Sequence, residues 1–253
     1  MSVMLASFYE NLSIPDSCRS GSRVSKKLLQ ENSKLSATDK KAISEDIESI
    51  HVHYELAPET INIPSYEDDL REYLKIFVLQ VVLRSPRYYK RIGEIVQRAI
   101  PSPVLIVFSH EKQLALHVAE KRINQADRSL LMVERFHDTG WLDAASLTPW
   151  QAAFVENFVA TQFSYANYWA FYSAMVDRIV ALNCAEFSSE YTLDLKTAGP
   201  SRVDALNELR KLHADQEKTR NTLKKETQFN RQVDLNMKLK ELEQAIEACM
   251  TFI

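Results

Sequence analysis

The sequence predicts an α+β protein: a mainly antiparallel sheet with packed helices, then an aromatic-rich helical segment, then a long C-terminal helix or helical hairpin. Three observations predict it. Short apolar runs separated by prolines and turn residues occupy most of 52–142 and read as strands. Nine aromatic residues fall between Trp150 and Tyr172, and the surrounding stretch from Ala144 to Val176 holds one formal charge, Glu156. No glycine or proline interrupts 201–250, where Ala, Leu, Glu, Lys, Arg and Gln predominate. The expected organisation is an irregular N-terminal arm over 1–37, a sheet module over 38–142, the aromatic segment over 143–190 and a polar helical arm over 200–253.

The arm is rich in Ser, Asn and Lys with Pro15 and Gly21 as punctuation, and a short helix is expected around Ser25 to Asn32. Thr38-Asp39-Lys40-Lys41 supplies an N-cap, and Ile43, Ile47 and Ile50 recur at helical spacing, so 39–51 is predicted helical. Val52 to Ile63 reads as a strand bent at Pro58. Leu70 to Leu83, dense in apolar residues, reads as a long buried strand at the centre of the sheet. Tyr89, Ile92, Ile95, Val96 and Ala99 share a helical face, so 87–99 is predicted helical and stops before Pro101. Val104 to Phe108 is the next strand. A turn at Ser109 to Lys112 leads to Gln113–Glu120, where Leu114, Leu116 and Val118 alternate with smaller or polar residues, and Leu130 to Phe136 adds another strand.

Trp150, Phe154, Phe158 and Thr161 lie on one helical face and Tyr165, Tyr168, Trp169 and Tyr172 on another, which predicts one bent helix or a helix pair. Two uses of these rings compete: packing on the sheet, or an interface core, whose composition is aromatic and charge-poor. Tyr191 to Leu195 suggests a short strand and Gly199-Pro200 closes the connector. One helix over 201–250 would reach roughly 70 Å. Its apolar positions cluster at Val203, Leu206, Leu209, Leu212 and again at Leu235, Leu239, Leu242, Ile246, Met250. A continuous coiled coil would need apolar residues at Gln216, Thr219, Glu226 and Asn230, so a hairpin turning near Thr227 to Asn230, or a long helix gripping different neighbours at each end, is expected instead.

Composition excludes whole classes of function. With 253 residues, 45% apolar and 26% charged, the chain carries ample core material, and its net charge of -3 is not that of a polycation. Only four glycines occur, none close enough to another to form a Gly-rich phosphate cradle. The three cysteines, Cys18, Cys184 and Cys249, are unpaired in spacing and read as reduced thiols. Met1 to Glu10 lacks a basic segment followed by an apolar core, so no signal peptide is expected and the cytoplasm is the expected compartment. Polar residues interrupt every apolar window of membrane length, so no membrane association is expected.

Catalytic chemistry is sparsely signalled. His51-Val-His53 would share a strand face but has no further ligand at metal spacing, so no metal site is expected. A metal-dependent nuclease would need an Asp on one strand and a Glu-x-Lys on the next. Asp68 and Asp69 supply an acid, yet Gln80-Val81-Val82 has valine where the lysine belongs. No catalytic residue and no cofactor are assigned, and a non-enzyme is favoured. The electrostatic candidate is Arg210, Lys211, Lys218, Arg220, Lys224, Lys225 and Arg231 against Asp215, Glu217 and Glu226, an excess of four positive charges. Such a stripe can follow a phosphate backbone or can be an ordinary solvated face.

Four segments, Tyr54-Glu-Leu-Ala-Pro-Glu-Thr-Ile-Asn-Ile63, Ala99-Ile-Pro-Ser-Pro-Val-Leu-Ile106, Thr139-Gly-Trp-Leu142 and Lys225-Glu-Thr-Gln-Phe-Asn-Arg-Gln-Val-Asp-Leu-Asn236, resemble in order a bacterial domain-of-unknown-function family, number four-three-nine-one. Genes of that family neighbour DNA methyltransferases and helicases in restriction-like phage-defence clusters. The resemblance therefore implies an accessory subunit of such a system and carries no catalytic residues. The chain departs from it near Gln80 to Arg84, where acidic and lysine positions are missing, and in an enlarged segment 144–190. The leading expectation is a non-catalytic subunit docking to a helicase or methyltransferase through Trp150, Phe154, Phe158, Tyr168, Trp169 and Phe229. The alternative is a DNA-binding or nuclease-like subunit using Arg210, Lys218, Lys224, Lys225 and Arg231. A self-assembling homo-oligomeric scaffold is the third option.

Overall fold

The computed structural model describes residues 3–31, 35–125, 127, 131–194 and 201–253. Met1, Asn32 and Leu130, and the connector residues 195–200 with Gly199-Pro200, lie outside the described residues. The chain divides into two compact units, Met1–Ile179 and Val180–Ile253.

The first unit is built on one sheet. It opens with α1 (Val3–Leu12), α2 (Lys26–Glu31) and α3 (Ala37–Glu45), followed by β1 (Ile47–Leu56), the two-residue strands β2 (Tyr66–Glu67) and β3 (Glu72–Tyr73), and β4 (Ile76–Leu83). Then come α4 (Tyr89–Ala99), β5 (Val104–His110), β6 (Gln113–Ile123), β7 (Leu131–Asp138) and β8 (Leu142–Asp143). The order across the sheet is β1-β4-β5-β6-β7, with β8 beside β6. Every pairing is antiparallel except β4 with β5, whose strands are joined through α4. A parallel pair needs such a crossover, and α4 supplies it by laying Ile92, Ile95, Val96 and Ala99 on the sheet.

Both faces of the sheet are covered, so β5 is buried from Val104 to Ser109. Val104, Ile106 and Phe108 join the core beneath α2, α3 and α4. Alternation sends Leu105 and Val107 to the other face, where an aromatic layer waits. That layer comes from α1, α5 (Pro149–Asn157) and α6 (Tyr168–Ser188). Phe8 stacks on Phe158 with ring centres 5.9 Å apart, Phe158 meets Phe154 and Phe163 at 5.3 and 5.4 Å, and Phe163 meets Phe171 at 5.2 Å. Tyr172 accepts from Ala119 N and donates to the Val104 carbonyl, standing in for a ladder bond where β5 and β6 part. The buried Arg178 guanidinium bonds the carbonyls of Asn157 and Gln162, tying α6 to the end of α5 and to the turn after it.

Several element bounds differ from the sequence reading. The capping residue of α3 is Ser36, whose hydroxyl accepts from Asp39 N while Asp39 returns a bond to Ser36 N. The Arg91 guanidinium, 2.8 Å away, holds the Asp39 carboxyl well below the usual carboxylate range. The helix stops at Glu45, not at 51, because Ile47 and Ile50 belong to β1. A register shift between Ile47 and Ser49 puts both on one side of that strand, which mimics helical spacing. The bent strand expected up to Ile63 ends at Leu56, and the long strand expected from Leu70 is broken into β3 and β4. No strand forms at 191–194.

The N-terminal arm is not irregular throughout, since Val3–Leu12 forms α1, and the stretch after that helix has a job in the fold. Ser20 N, Gly21 N and Val24 N donate to the carbonyls of His53, Val52 and Ile50, and Val52 N donates to Ser22 O. The arm thereby straps the outer edge of β1, an edge that would otherwise offer unpaired backbone groups. Gly21 sits at φ +74, a conformation that glycine adopts without strain.

The second unit contains the C-terminal part of α6, α7 (Arg202–Leu223) and α8 (Phe229–Met250). Among the described residues, no helix is long and apolar enough to cross a membrane.

Candidate docking surface

Ser201 caps α7 by accepting from Asp204 N, and the helix runs without a break to Leu223. Residues 224–228 then turn the chain. Glu226 fixes that turn by accepting from Thr227 N and Gln228 N, both at 2.9 Å, contacts that hold its carboxyl below the usual range. Helix α8 runs back antiparallel, bringing Cys249 Sγ to 3.1 Å from the Ala205 carbonyl oxygen. The expected hairpin is therefore present, with its turn three residues earlier than the sequence suggested.

The seam of the hairpin explains why its polar middle is tolerated. On α7 the buried residues are Ala205, Leu206, Leu209, Gln216 and Thr219. Gln216 and Thr219 are two of the four positions that argued against a continuous apolar seam, and both are nonetheless buried. Thr219 satisfies its hydroxyl on the Asp215 carbonyl. On α8 the half-buried residues Gln232, Leu235, Leu239, Leu242, Ile246 and Cys249 recur at alternating spacings of three and four, the pattern of a two-helix seam.

Helix α8 has no fully buried residue. Its outward face carries Phe229, Val233 and Met237, which are 75%, 41% and 61% exposed. At about 100° per residue these three step round the helix by only about 40° each and form one apolar line. Glu241 continues the four-residue step, Lys240 lies beside it, and Asn230 and Asn236 flank the line. Phe229 is the aromatic that the sequence left without a seam partner. Val233 and Met237 were missed, because they fall outside the apolar cluster Leu235, Leu239, Leu242, Ile246, Met250 that the sequence marks on this helix.

The basic stripe is partly neutralised. Arg231 lies 3.8 Å from Glu226, Arg220 3.5 Å from Glu243 and Lys211 3.5 Å from Glu208. Arg210, Lys218, Lys224 and Lys225 are exposed and have no ion-pair partner among the described residues. They do not form an unbroken row, since Glu217 intervenes on the same face of α7.

The aromatic segment is placed differently from the docking expectation. Phe154, Phe158 and Tyr168 are 0% exposed and belong to the layer under the sheet, so the folded chain does not present them. Their charge-poor neighbourhood is the signature of a core here. Trp150 and Trp169 are half-buried. Trp169 stacks on Tyr66 at 5.1 Å and lies under the Arg71 guanidinium at 5.2 Å.

A buried polar row that the sequence reading passed over lies between α4 and β6. The smaller or polar positions that alternate with Leu114, Leu116 and Val118, namely Ala115, His117 and Ala119, and Lys121 beyond the predicted end of the strand, are all at most 2% exposed. Burial pushes the His117 imidazole down to about 4, so it is neutral at pH 7. Lys121 donates to the carbonyls of Ile100 and Ser102, each at 2.7 Å, at the C-terminal end of α4. Gln97 donates to Val104 O and His117 O. On β7, His137 meets Glu120 at 2.8 Å, and that bond holds the Glu120 carboxyl low. Each contact ties a strand to a helix or to its neighbour, which is structural work.

The side chains that the nuclease and metal readings name have structural partners among the described residues. Asp68 is a turn residue, accepting from Tyr66 Oη, Leu70 N and Arg71 N at 2.6 to 2.7 Å. On β4, Val81 is fully buried. His53 stacks on Tyr9 with ring centres 3.8 Å apart. Among the described residues no group of three or more His, Cys, Asp or Glu side chains is placed to hold a metal ion. Cys18 and Cys184 are buried free thiols, and burial pushes Cys184 up to about 11.

Residues 12–246 match the model of a family described as a domain of unknown function, DUF4391. No curated protein and no solved structure matches the chain.

Proposed function

The chain belongs to the DUF4391 family, and from that premise we propose that it is a non-catalytic accessory subunit of a bacterial anti-phage, restriction-like complex, docking to a helicase or DNA methyltransferase partner through the α7–α8 hairpin. The gene neighbourhood that the resemblance implies supplies the context. The observation that carries the reading is the apolar line Phe229, Val233, Met237 on a helix with no fully buried residue. Three apolar anchors four residues apart are what a helix offers to a hydrophobic groove, and an exposed phenylalanine is costly unless something covers it.

The test is co-purification of the tagged protein with the products of its neighbouring genes, with and without nuclease digestion. A partner retained after digestion is expected, and Phe229→Asp with Met237→Asp is expected to reduce retention at least about tenfold, the size of a hot-spot loss. Neither side chain supports the fold, so the melting temperature should hold. Unchanged retention in the double variant would sink the assignment of this surface.

A second reading uses the cations that lack ion pairs, Lys218, Lys224 and Lys225 near the hairpin turn, to contact a phosphate backbone. It predicts DNA binding that weakens steeply with salt, and weakens further in Lys224→Ala, Lys225→Ala, Arg231→Ala. Binding that ignores the triple substitution would remove this site from consideration.

A further inference from the structure

The two edges of the sheet are finished differently. The N-terminal arm covers β1, whereas β7 ends the strand order, and among the described residues no backbone group bonds its outer side. Which residues of β7 face outward follows from β6. Ala119 N, Lys121 N and Ile123 N donate away from β7, to Tyr172 Oη, Tyr73 Oη and Leu70 O. By alternation Val118, Glu120 and Arg122 bond β7, opposite His137, Arg135 and Met132, and Thr139 N continues that inward series by donating to Leu116 O. Leu131, Val133, Phe136 and Asp138 therefore turn their N–H and C=O groups outward.

On a regular edge the outward residues are two apart, but Val133 and Phe136 are three apart, because the register shift at Glu120/Lys121 leaves Glu134 as an extra residue. Such a bulge ordinarily protects an edge: a regular strand in step with Phe136 and Asp138 is out of step with Leu131 and Val133. A strand with the same three-residue step at the same place stays in step, and β7 of a second copy, run antiparallel, has it. About a two-fold axis between Glu134 and Arg135, Val133 comes opposite the partner's Phe136 and Leu131 opposite the partner's Asp138, so outward residues meet only outward residues. Each such pair exchanges both of its N–H···O bonds.

The side chains agree with this register. Val133 and Phe136 stand across from Lys121 and Ala119, on the face that α4 covers, where the Arg98 guanidinium lies 4.9 Å from the centre of the Phe136 ring. Both are half-buried in the single chain, and the pairing sets an aliphatic side chain against an aromatic one. Glu134 and Arg135 are exposed on the other face, Glu134 at 2.8 Å from Arg122 and Arg135 across from Glu120. They come opposite the partner's Arg135 and the partner's Glu134, so every charge at the axis meets its opposite. We propose that β7 of one chain pairs with β7 of a second copy and closes a two-fold dimer with one continuous sheet. The contact is isologous, uses the free edge of both chains and stops at two. It goes beyond the docking role of the hairpin and does not depend on it.

Sedimentation velocity of the full chain over about 1 to 300 µM, the range of small interfaces, tests it. The wild type is expected to pass from monomer to dimer as concentration rises and to go no further. Arg135→Glu and Glu134→Arg each bring like charges together across the axis, and each is expected to weaken dimerisation at least about tenfold. Mixed in equal amounts, these two variants are expected to recover it as a heterodimer, since every pair at the axis is then of opposite charge, and a chain carrying both substitutions is expected to dimerise like the wild type. Val133→Pro removes an outward N–H, which an edge strand tolerates in the monomer, and is expected to stay monomeric with an unchanged circular dichroism spectrum. Should it fail to fold, the charge variants decide the matter alone. Hydrogen exchange supplies the location: protection of a peptide covering 131–138 is expected to rise with protein concentration. A wild type that stays monomeric over the whole range, assemblies larger than a dimer, single charge variants that associate like the wild type, a mixture no tighter than its components, or protection that ignores concentration would each overturn the proposal.

Discussion

Replacing Gly93 with alanine is expected to destabilise the protein by about 2 kcal/mol, within the usual range for overpacking a core. Gly93 faces β6 from the middle of α4, and a Cβ there would stand 2.5 Å from His117 Cδ2 and 2.8 Å from Cγ and Nε2. These are atoms of a rigid ring, not the far end of a flexible chain. The ring has little freedom to withdraw, since it is 2% exposed and meets Phe108 edge-on and Phe136 at a tilt. Alanine normally gains about 1 kcal/mol over glycine inside a helix, so the steric cost must exceed that gain for the sign to hold. For a chain of this size the loss corresponds to a melting temperature lower by about 5 °C. The sign is expected to reverse once the ring is gone: in a His117→Ala background, Gly93→Ala should stabilise by about 1 kcal/mol. A double-mutant cycle read by thermal melting decides it. Equal effects of Gly93→Ala in the two backgrounds would refute close packing of α4 on His117.

The same contact shows why parts of the fold escape a reading of the sequence. Strands β4 and β5 were legible as buried because apolar residues occupy both of their faces. Strand β6 was not, since His117 and Lys121 on alternate positions look like a solvent face, and the close approach that Gly93 permits is invisible without α4 in place. The N-terminal segment gives a similar lesson: Ile43, Ile47 and Ile50 satisfy a helical period, and only the shifted pairing of Ile47 and Ser49 with β4 assigns the last two to a strand. The hairpin was legible from two apolar clusters around a polar centre. Its outward line was half legible, because Phe229 stood out while Val233 and Met237 lay outside the marked apolar cluster and were given no role. Separating two stripes about 140° apart on one helix needs the partner helix to mark which is covered.

The stability of the protein is expected to rise by about 2 kcal/mol between pH 7 and pH 9 through Lys121 alone. Burial pushes the Lys121 ammonium down to about 7 from an ordinary value near 10.5. Two carbonyls at the end of α4 bond the amine, and a positive charge there is favoured by the helix dipole, so the proton stays on until near neutrality. A lysine lowered in the folded state gives up its proton there while the unfolded chain still holds one. Between about 7 and 10.5 the unfolded chain binds more protons, and stability climbs with pH across that window. Below it both states are charged and the full cost of burying the ammonium is borne; above it both are neutral and the slope vanishes. Lys121→Met keeps the length of the side chain and removes the charge, so its stability should not follow the wild-type rise. It gives up both carbonyl bonds, which costs about 1 to 3 kcal/mol at any pH and offsets what the missing charge restores. Urea midpoints of the two proteins at pH 7, 8 and 9 make the comparison, with the many exposed groups cancelling between them. The expected result is a difference between wild type and variant that shifts toward the wild type by about 2 kcal/mol as the pH rises. Parallel curves would mean that Lys121 titrates alike in the folded and unfolded chains, and that the end of α4 is open to water.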